Sequence, residues 1–365
     1  MGDNLTKLHE LYRAGQSIWY DFIRRDMLTG PGLADLVASG IRGVTSNPSI
    51  FEKAIADSNL YDEDIARIGD GDAAAIFEAL AISDIQCAAD ILRAVYDSSD
   101  GEDGYVSLEV SPELANDTSG TIADAMRLWA AVDRPNLMVK VPATDAGIPA
   151  IEELTAAGLN INATLMFSLT NYESVATAYI QGAERASDPS NLASVASFFV
   201  SRVDTSTDSA LEHMGTDHAL SLRGRAAIAN AKVAYLRYQE LFEGERFAAL
   251  RSAGTRPQRV LWASTSTKNP EYNDVMYIED LIGPNTVNTA PPGTIDAFND
   301  HGVIRTDSLL EGTDEAVTFI ESLPDAGIDF VAITATLQTE GVKSFQDAYT
   351  ALLKAIERKQ AQITA

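Results

Sequence analysis

Eight short runs rich in β-branched and aromatic residues alternate with longer stretches of helical period, and that alternation leaves few folds open. The runs are Ser17–Phe22, Gly43–Pro48, Tyr105–Val110, Leu137–Pro142, Ile161–Ser168, Val195–Arg202, Arg259–Thr265 and Asn285–Pro291. Helical segments fall between nearly all of them, including Phe77–Tyr96, Thr121–Val132, Asn171–Ala186 and Ala219–Phe242, and Ser344–Gln360 closes the chain. Thr121 and Thr170 stand at expected N-cap positions. A helix after each strand returns the chain to the same edge, so the sheet should be parallel. Eight repeats predict an α/β fold, a (β/α)8 TIM barrel with extra helices. No Pro/Gly/Ser-rich linker interrupts it, so residues 1–365 are expected to form one domain.

Charge narrows the partners. The 53 acidic residues against 27 basic ones give a formal charge of -26. Such a field repels phosphate polyanions, which argues against nucleic acid or an anionic membrane surface. A small anion can still bind where Arg or Lys cluster locally. The single cysteine, Cys87, leaves no disulfide framework or cysteine metal cluster, and the four histidines lack metal-site spacing. Neither metal nor cofactor is expected. No run approaches the roughly 18 apolar residues of a membrane span. The start, Met1-Gly2-Asp3-Asn4-Leu5-Thr6, lacks the features of a signal peptide. A cytoplasmic protein is expected.

Strands of a closed parallel barrel are covered on both faces and should be nearly all apolar. Here five of them carry polar groups. In Leu137-Met138-Val139-Lys140-Val141-Pro142 a lysine, one of only eight in the chain, sits between valines. Burying an ammonium without a partner is costly, and such a lysine escapes by giving up its proton. A neutral amine attacks carbonyls, the first requirement of Schiff-base chemistry. Lys140 could equally be structural, paired with a buried carboxylate. Glu109 shares a strand face with Ser107 and Ser111, and Asn162 shares one with Thr164. Asp21 and Asn47 end their runs. Polar groups at the carboxyl ends of five strands meet at one mouth of a barrel, where such enzymes place their sites. One ion pair accounts for Lys140 and Glu109 but leaves the other four residues without a reason.

A phosphate site is the next expectation. Arg202 follows Phe198-Phe199-Val200-Ser201, and Lys268 follows Ala263-Ser264-Thr265-Ser266-Thr267. A guanidinium offers a two-pronged fork to phosphate oxygens and an ammonium a point charge. Arg202 could instead pair with Asp204, and Lys268 could be an ordinary surface residue. Arg202 and Ser197 have opposite strand parity, so both face the lumen only if the strand bends or ends between them.

Three segments resemble the transaldolase family: Gly43-Val44-Thr45-Ser46-Asn47-Pro48-Ser49-Ile50-Phe51, Leu137-Met138-Val139-Lys140-Val141-Pro142-Ala143-Thr144 and Ile161-Asn162-Ala163-Thr164-Leu165-Met166-Phe167-Ser168. The resemblance implies a class I aldolase-type barrel moving a dihydroxyacetone unit between sugar phosphates in the non-oxidative pentose phosphate pathway. It implies that Lys140 forms the Schiff base and that Asp21 is general acid and base at the carbon–carbon bond. By the same resemblance Glu109 and Thr164 hold a catalytic water, Asn47 and Asn162 bind the dihydroxyacetone hydroxyls, and Ser197 also lines the site. Phe199 matches an aromatic of the pocket wall and Arg202 a phosphate-binding arginine. After the seventh strand, where many members carry a second arginine, this chain offers Ser266 or Lys268 instead. A fructose 6-phosphate aldolase-like lyase on the same scaffold is one alternative, favoured less because Phe199 is not tyrosine. A catalytically silent barrel acting as a binding protein is the other.

Overall fold

The computed structural model describes residues 5–69 and 71–363, so Met1–Asn4, part of the segment read for targeting signals, lie outside it. Eight strands form one closed, wholly parallel barrel in chain order, β1 to β8, with β8 returning to β1. They are β1 Gln16–Tyr20, β2 Gly43–Val44, β3 Tyr105–Glu109, β4 Leu137–Pro142, β5 Ile161–Met166, β6 Ser194–Phe199, β7 Arg259–Ala263 and β8 Thr286–Ala290. The expected (β/α)8 barrel is what forms. Pairing Glu109 with Lys140, and Lys140 with Asn162, puts those three side chains on one face at one level. Among the described residues no helix is long and apolar enough to cross a membrane.

Several expected boundaries move, each for a local reason. The second run keeps only Gly43–Val44 as strand, because Asn47 turns the chain into the helix Pro48–Ala56. Its side chain accepts the Ile50 backbone N–H at 3.0 Å, and Pro48 takes the first helical position, where its missing N–H is no loss. β6 stops at Phe199, and Arg202 lies in the first turn of the helix Ser201–Met214 rather than at a strand end. That ending removes the parity conflict between Arg202 and Ser197. The caps also shift: Asp117 and Ser168, not Thr121 and Thr170, cap the helices Thr118–Val132 and Leu169–Arg185. The expected helix Ala219–Phe242 is broken into Asp217–Leu220, Ala226–Tyr238 and a π-helical turn, Gln239–Glu243, with Gly224 at φ +70 between the first two. The closing helix is longer than expected, Phe330–Ile363. It packs on the helix Pro48–Ala56 and reaches across β5.

The lower end of the lumen is closed by a buried charge cluster. Asp103 accepts from Ser17 Oγ (2.7 Å), Trp19 Nε1 (3.1 Å), Arg42 Nε (2.7 Å) and Arg259 Nη2 (3.0 Å). Burial by itself would raise its pKa, but the Arg259 and Arg42 guanidiniums outweigh that and hold it below the usual carboxylate value. Both Asp103 oxygens are taken up by these four donors.

Candidate active site

The upper mouth differs. A cavity of about 100 Å3 there is lined by seven residues expected from the sequence: Asp21, Asn47, Lys140, Thr164, Ser197, Phe199 and Arg202. Thr45, Ser264, Thr289 and Phe345 line it as well. Thr45 and Thr289 carried a signal, being polar residues in or beside strand runs. Phe345 carried none, since it arrives on the closing helix.

Lys140 is only 5% exposed, yet its surroundings are not purely hydrocarbon as the valine neighbours suggested. Its Nζ donates to the Ser46 carbonyl at 3.1 Å, lies 3.6 Å from Glu109 Oε2, and faces the Phe345 ring at 5.6 Å. The contact with Glu109 is longer than a good hydrogen bond. Neither Glu109 oxygen has a hydrogen-bond partner among the described residues, and the Thr164 hydroxyl is equally alone. Glu109 does not line this cavity but a neighbouring one of about 360 Å3, while Thr164 lines this one. Buried polar atoms are nearly always satisfied, and such atoms are the sort an ordered water meets. Burial pushes the Glu109 carboxyl up to about 7, against the opposing pull of the Lys140 ammonium. The two readings of Lys140 are therefore compatible: it has a carboxylate neighbour and still borders the cavity.

Asp21 continues β1 into the cavity. Its Oδ1 accepts from Thr45 Oγ1 at 2.6 Å, and that hydroxyl meets Thr289 Oγ1 at 2.6 Å. Burial raises the Asp21 pKa, and neither Lys140 nor the Thr45 hydrogen bond cancels the rise. Asn162 donates to Ser107 Oγ at 2.9 Å and accepts from Ser197 Oγ at 2.7 Å. It sits behind the cavity wall, and Ser197 faces the cavity.

Thr164 follows the alternation of β5, opposite Pro142 of β4, and the strand turns irregular directly after it. Between Ala163 and Met166 the pairing with β6 shifts, and Leu165, fully buried, adopts φ +62. A left-handed leucine costs about 1–3 kcal/mol, so its surroundings must enforce it.

At the far side Arg202 lies over the Phe199 ring, 5.5 Å from its centroid, and Phe199 packs on Phe167. The alternative pairing with Asp204 is overturned. Asp204 accepts instead from the Ala227 backbone N–H at 2.8 Å and the Tyr277 hydroxyl at 2.7 Å. Among the described residues Arg202 has no ion pair; burial lowers its pKa, opposed by the charge of Glu340. Lys268 is also lowered, first by burial and then by repulsion from Arg202. Two cations that feel each other and hold no carboxylate make a local positive field in an acidic protein. Neither Ser266 nor Lys268 lines the cavity. The serine of that loop which does is Ser264, whose Oγ lies 2.9 Å from Ser201 Oγ.

A family model described as transaldolase/fructose-6-phosphate aldolase matches residues 18–356. The chain belongs to that family. Every residue lining the cavity falls inside the matched span of the transaldolase/fructose-6-phosphate aldolase model. Among curated proteins, the transaldolase of Thiobacillus denitrificans is 48% identical over 360 residues, covering 97% of this chain and 99% of that protein. That of Mycolicibacterium paratuberculosis is 46% identical, covering 96% of each chain. The transaldolase of Thermobifida fusca is 45% identical, over 98% of this chain and all of that protein.

Proposed function

We propose that the protein is a transaldolase, a transferase that moves a dihydroxyacetone unit from a ketose phosphate to an aldose phosphate in the cytoplasm. The donor is sedoheptulose 7-phosphate or fructose 6-phosphate, and the reaction belongs to the non-oxidative pentose phosphate pathway. One observation carries the reading: the nearly buried Lys140 amine opens onto a cavity whose far side holds an arginine that has no ion pair among the described residues.

The Lys140 amine adds to the ketose carbonyl, and loss of water leaves an imine. Glu109 and the Thr164 hydroxyl hold that water and pass its protons, a role suited to a carboxyl raised to about 7. Asp21 takes the proton of the hydroxyl at the bond to be broken. The carbon–carbon electron pair then moves into the protonated imine, giving an enamine and a free aldehyde. Because the lysine provides the electron sink, the route runs on side chains alone. Asn47 and Ser197 meet the hydroxyls of the retained unit, with Asn162 holding Ser197 in place. Arg202 takes the phosphate, and Lys268 adds long-range charge. Phe199 and Phe345 keep hydrocarbon against the enamine, so it waits for an acceptor aldehyde instead of meeting water. The enamine carbon then attacks the acceptor, Asp21 returns the proton to the new hydroxyl, and water releases the product ketose.

The test is release of glyceraldehyde 3-phosphate from fructose 6-phosphate with and without erythrose 4-phosphate. Transfer predicts turnover that depends on the acceptor. Equal rates without it would make the protein a lyase, and no turnover in either case would leave a binding barrel.

A further inference from the structure

We propose that Gln338, on the closing helix, is a positioning residue that holds the Thr164 hydroxyl beside Lys140 by bracing the left-handed turn at Leu165. The proposal rests on the Schiff-base reading above and adds a residue that touches neither the cavity nor the substrate.

Where β5 pairs with β6, Ala163 faces Ala196 and Met166 faces Phe198, so β5 holds one residue more than its partner over that stretch. The extra residue is accommodated at Thr164 and Leu165, and the left-handed Leu165 is the means. Toward β4 the register still holds at Thr164, which stands opposite Pro142 and accepts the Ala143 backbone N–H at 2.8 Å, so the bulge begins at the residue whose hydroxyl faces the cavity. The bulge also takes the Leu165 carbonyl out of the regular ladder, in a place closed to water. The Gln338 amide supplies the missing donor. Its Nε2 lies 3.2 Å from Leu165 O, 2.8 Å from Ala143 O and 3.2 Å from Asn171 Oδ1. Asn171 Nδ2 donates to the same Ala143 carbonyl at 2.8 Å. One amide thus ties the end of β4, which carries Lys140, to the bulge of β5, which carries Thr164.

The helix also makes room for the turn. Three residues on from Gln338, a Cβ at Gly341 would lie 3.0 Å from Leu165 Cδ2. The missing side chain lets the leucine stand where the bulge puts it. Without the Gln338 donor, the Leu165 carbonyl loses a reason to point at the helix, and the backbone relaxes toward extended geometry. The pairing of Thr164 with the end of β4 then loosens, and its hydroxyl loses its fixed place in the cavity.

The experiment compares Gln338→Leu and Gln338→Glu with the wild-type protein, measuring kcat, KM for fructose 6-phosphate, melting temperature and the rate of borohydride trapping. Gln338→Leu keeps the volume and removes the donors. We expect kcat and the trapping rate to fall together, about tenfold to a hundredfold, with KM within about threefold. In Gln338→Glu an ionised carboxylate faces three oxygen acceptors, and protonation restores one donor. Its kcat relative to wild type should therefore climb as pH falls, a change that mere loosening of the helix does not produce. Gln338→Glu also serves if the leucine variant melts early. Trapping and kcat within about twofold of wild type in Gln338→Leu would overturn the proposal. So would a flat ratio across pH in Gln338→Glu. Failure to trap the wild-type protein at all would instead sink the Schiff-base reading, and the proposal with it.

Discussion

The two ends of the barrel lumen both bury charge, and they treat it in opposite ways. At the lower end Asp103 has four side-chain donors, among them two guanidiniums, and its pKa is held down. At the upper end Glu109 has no hydrogen-bond partner among the described residues, its pKa is pushed up, and Arg202 and Lys268 form no ion pair with a carboxylate among them. A buried charge that is fully answered holds the fold, while one left unanswered is kept for a ligand. The contrast separates structure from chemistry in a way residue type alone does not.

The sharpest way to break that contrast is to remove one group from each end. Lys140→Ala should lower turnover by about a thousandfold or more while the melting temperature stays near wild type. Activity within tenfold of wild type would put the chemistry elsewhere. Asp103→Asn should do the reverse. It leaves Arg42 and Arg259, both largely covered, without their carboxylate, costing about 3–5 kcal/mol of stability by urea unfolding. The kcat of the molecules still folded should stay within about twofold.

The pH dependence sharpens the comparison, because the two carboxyls carry opposite signs. Glu109 ordinarily titrates near 4.5 and here at about 7, so the folded protein holds that proton longer than the unfolded chain. Its contribution to stability is fully present below about 4.5 and is lost as pH rises through about 7. Asp103, held low, contributes above its ordinary value of 3.8 and loses that contribution as pH falls. Glu109→Gln should therefore gain on wild type between about pH 5 and 8, by on the order of 2–3 kcal/mol, as urea midpoints would show. A difference that shrinks with rising pH would mean the carboxyl is ionised in the folded protein throughout. The smallest effect belongs to Arg202→Leu. Losing a charge-assisted contact to phosphate should raise KM about tenfold, with no loss of melting temperature because the guanidinium has no ion pair among the described residues to lose. An unchanged KM would place the phosphate elsewhere.

The parts of this design legible in the sequence are those governed by alternation along a strand. Lys140, Glu109, Asn162 and Thr164 stood out because a polar residue every second position in an apolar run faces one side, and the barrel turns that side inward, whereas Ser197 took its site role from the family resemblance. Reading stopped where regular alternation stopped. Arg202 looked like a strand residue until β6 ended at Phe199, and Ser266 was singled out where Ser264, at φ +57, lines the cavity. The bulge at Leu165 lies inside a run that reads as plain strand. Phe345 and Gln338 were out of reach for another reason. They come from a helix remote in sequence, and periodicity says which face of that helix is buried but not what it is buried against.

The central claim is that the Lys140 amine bonds to the substrate carbonyl, and reductive trapping reads that bond directly. Wild-type protein treated with fructose 6-phosphate and borohydride, then digested and mapped by mass spectrometry, should carry the added sugar fragment on the peptide containing Lys140 and lose activity in proportion. An unmodified Lys140 peptide in protein that still turns over, or modification confined to another lysine such as Lys268, would contradict the account.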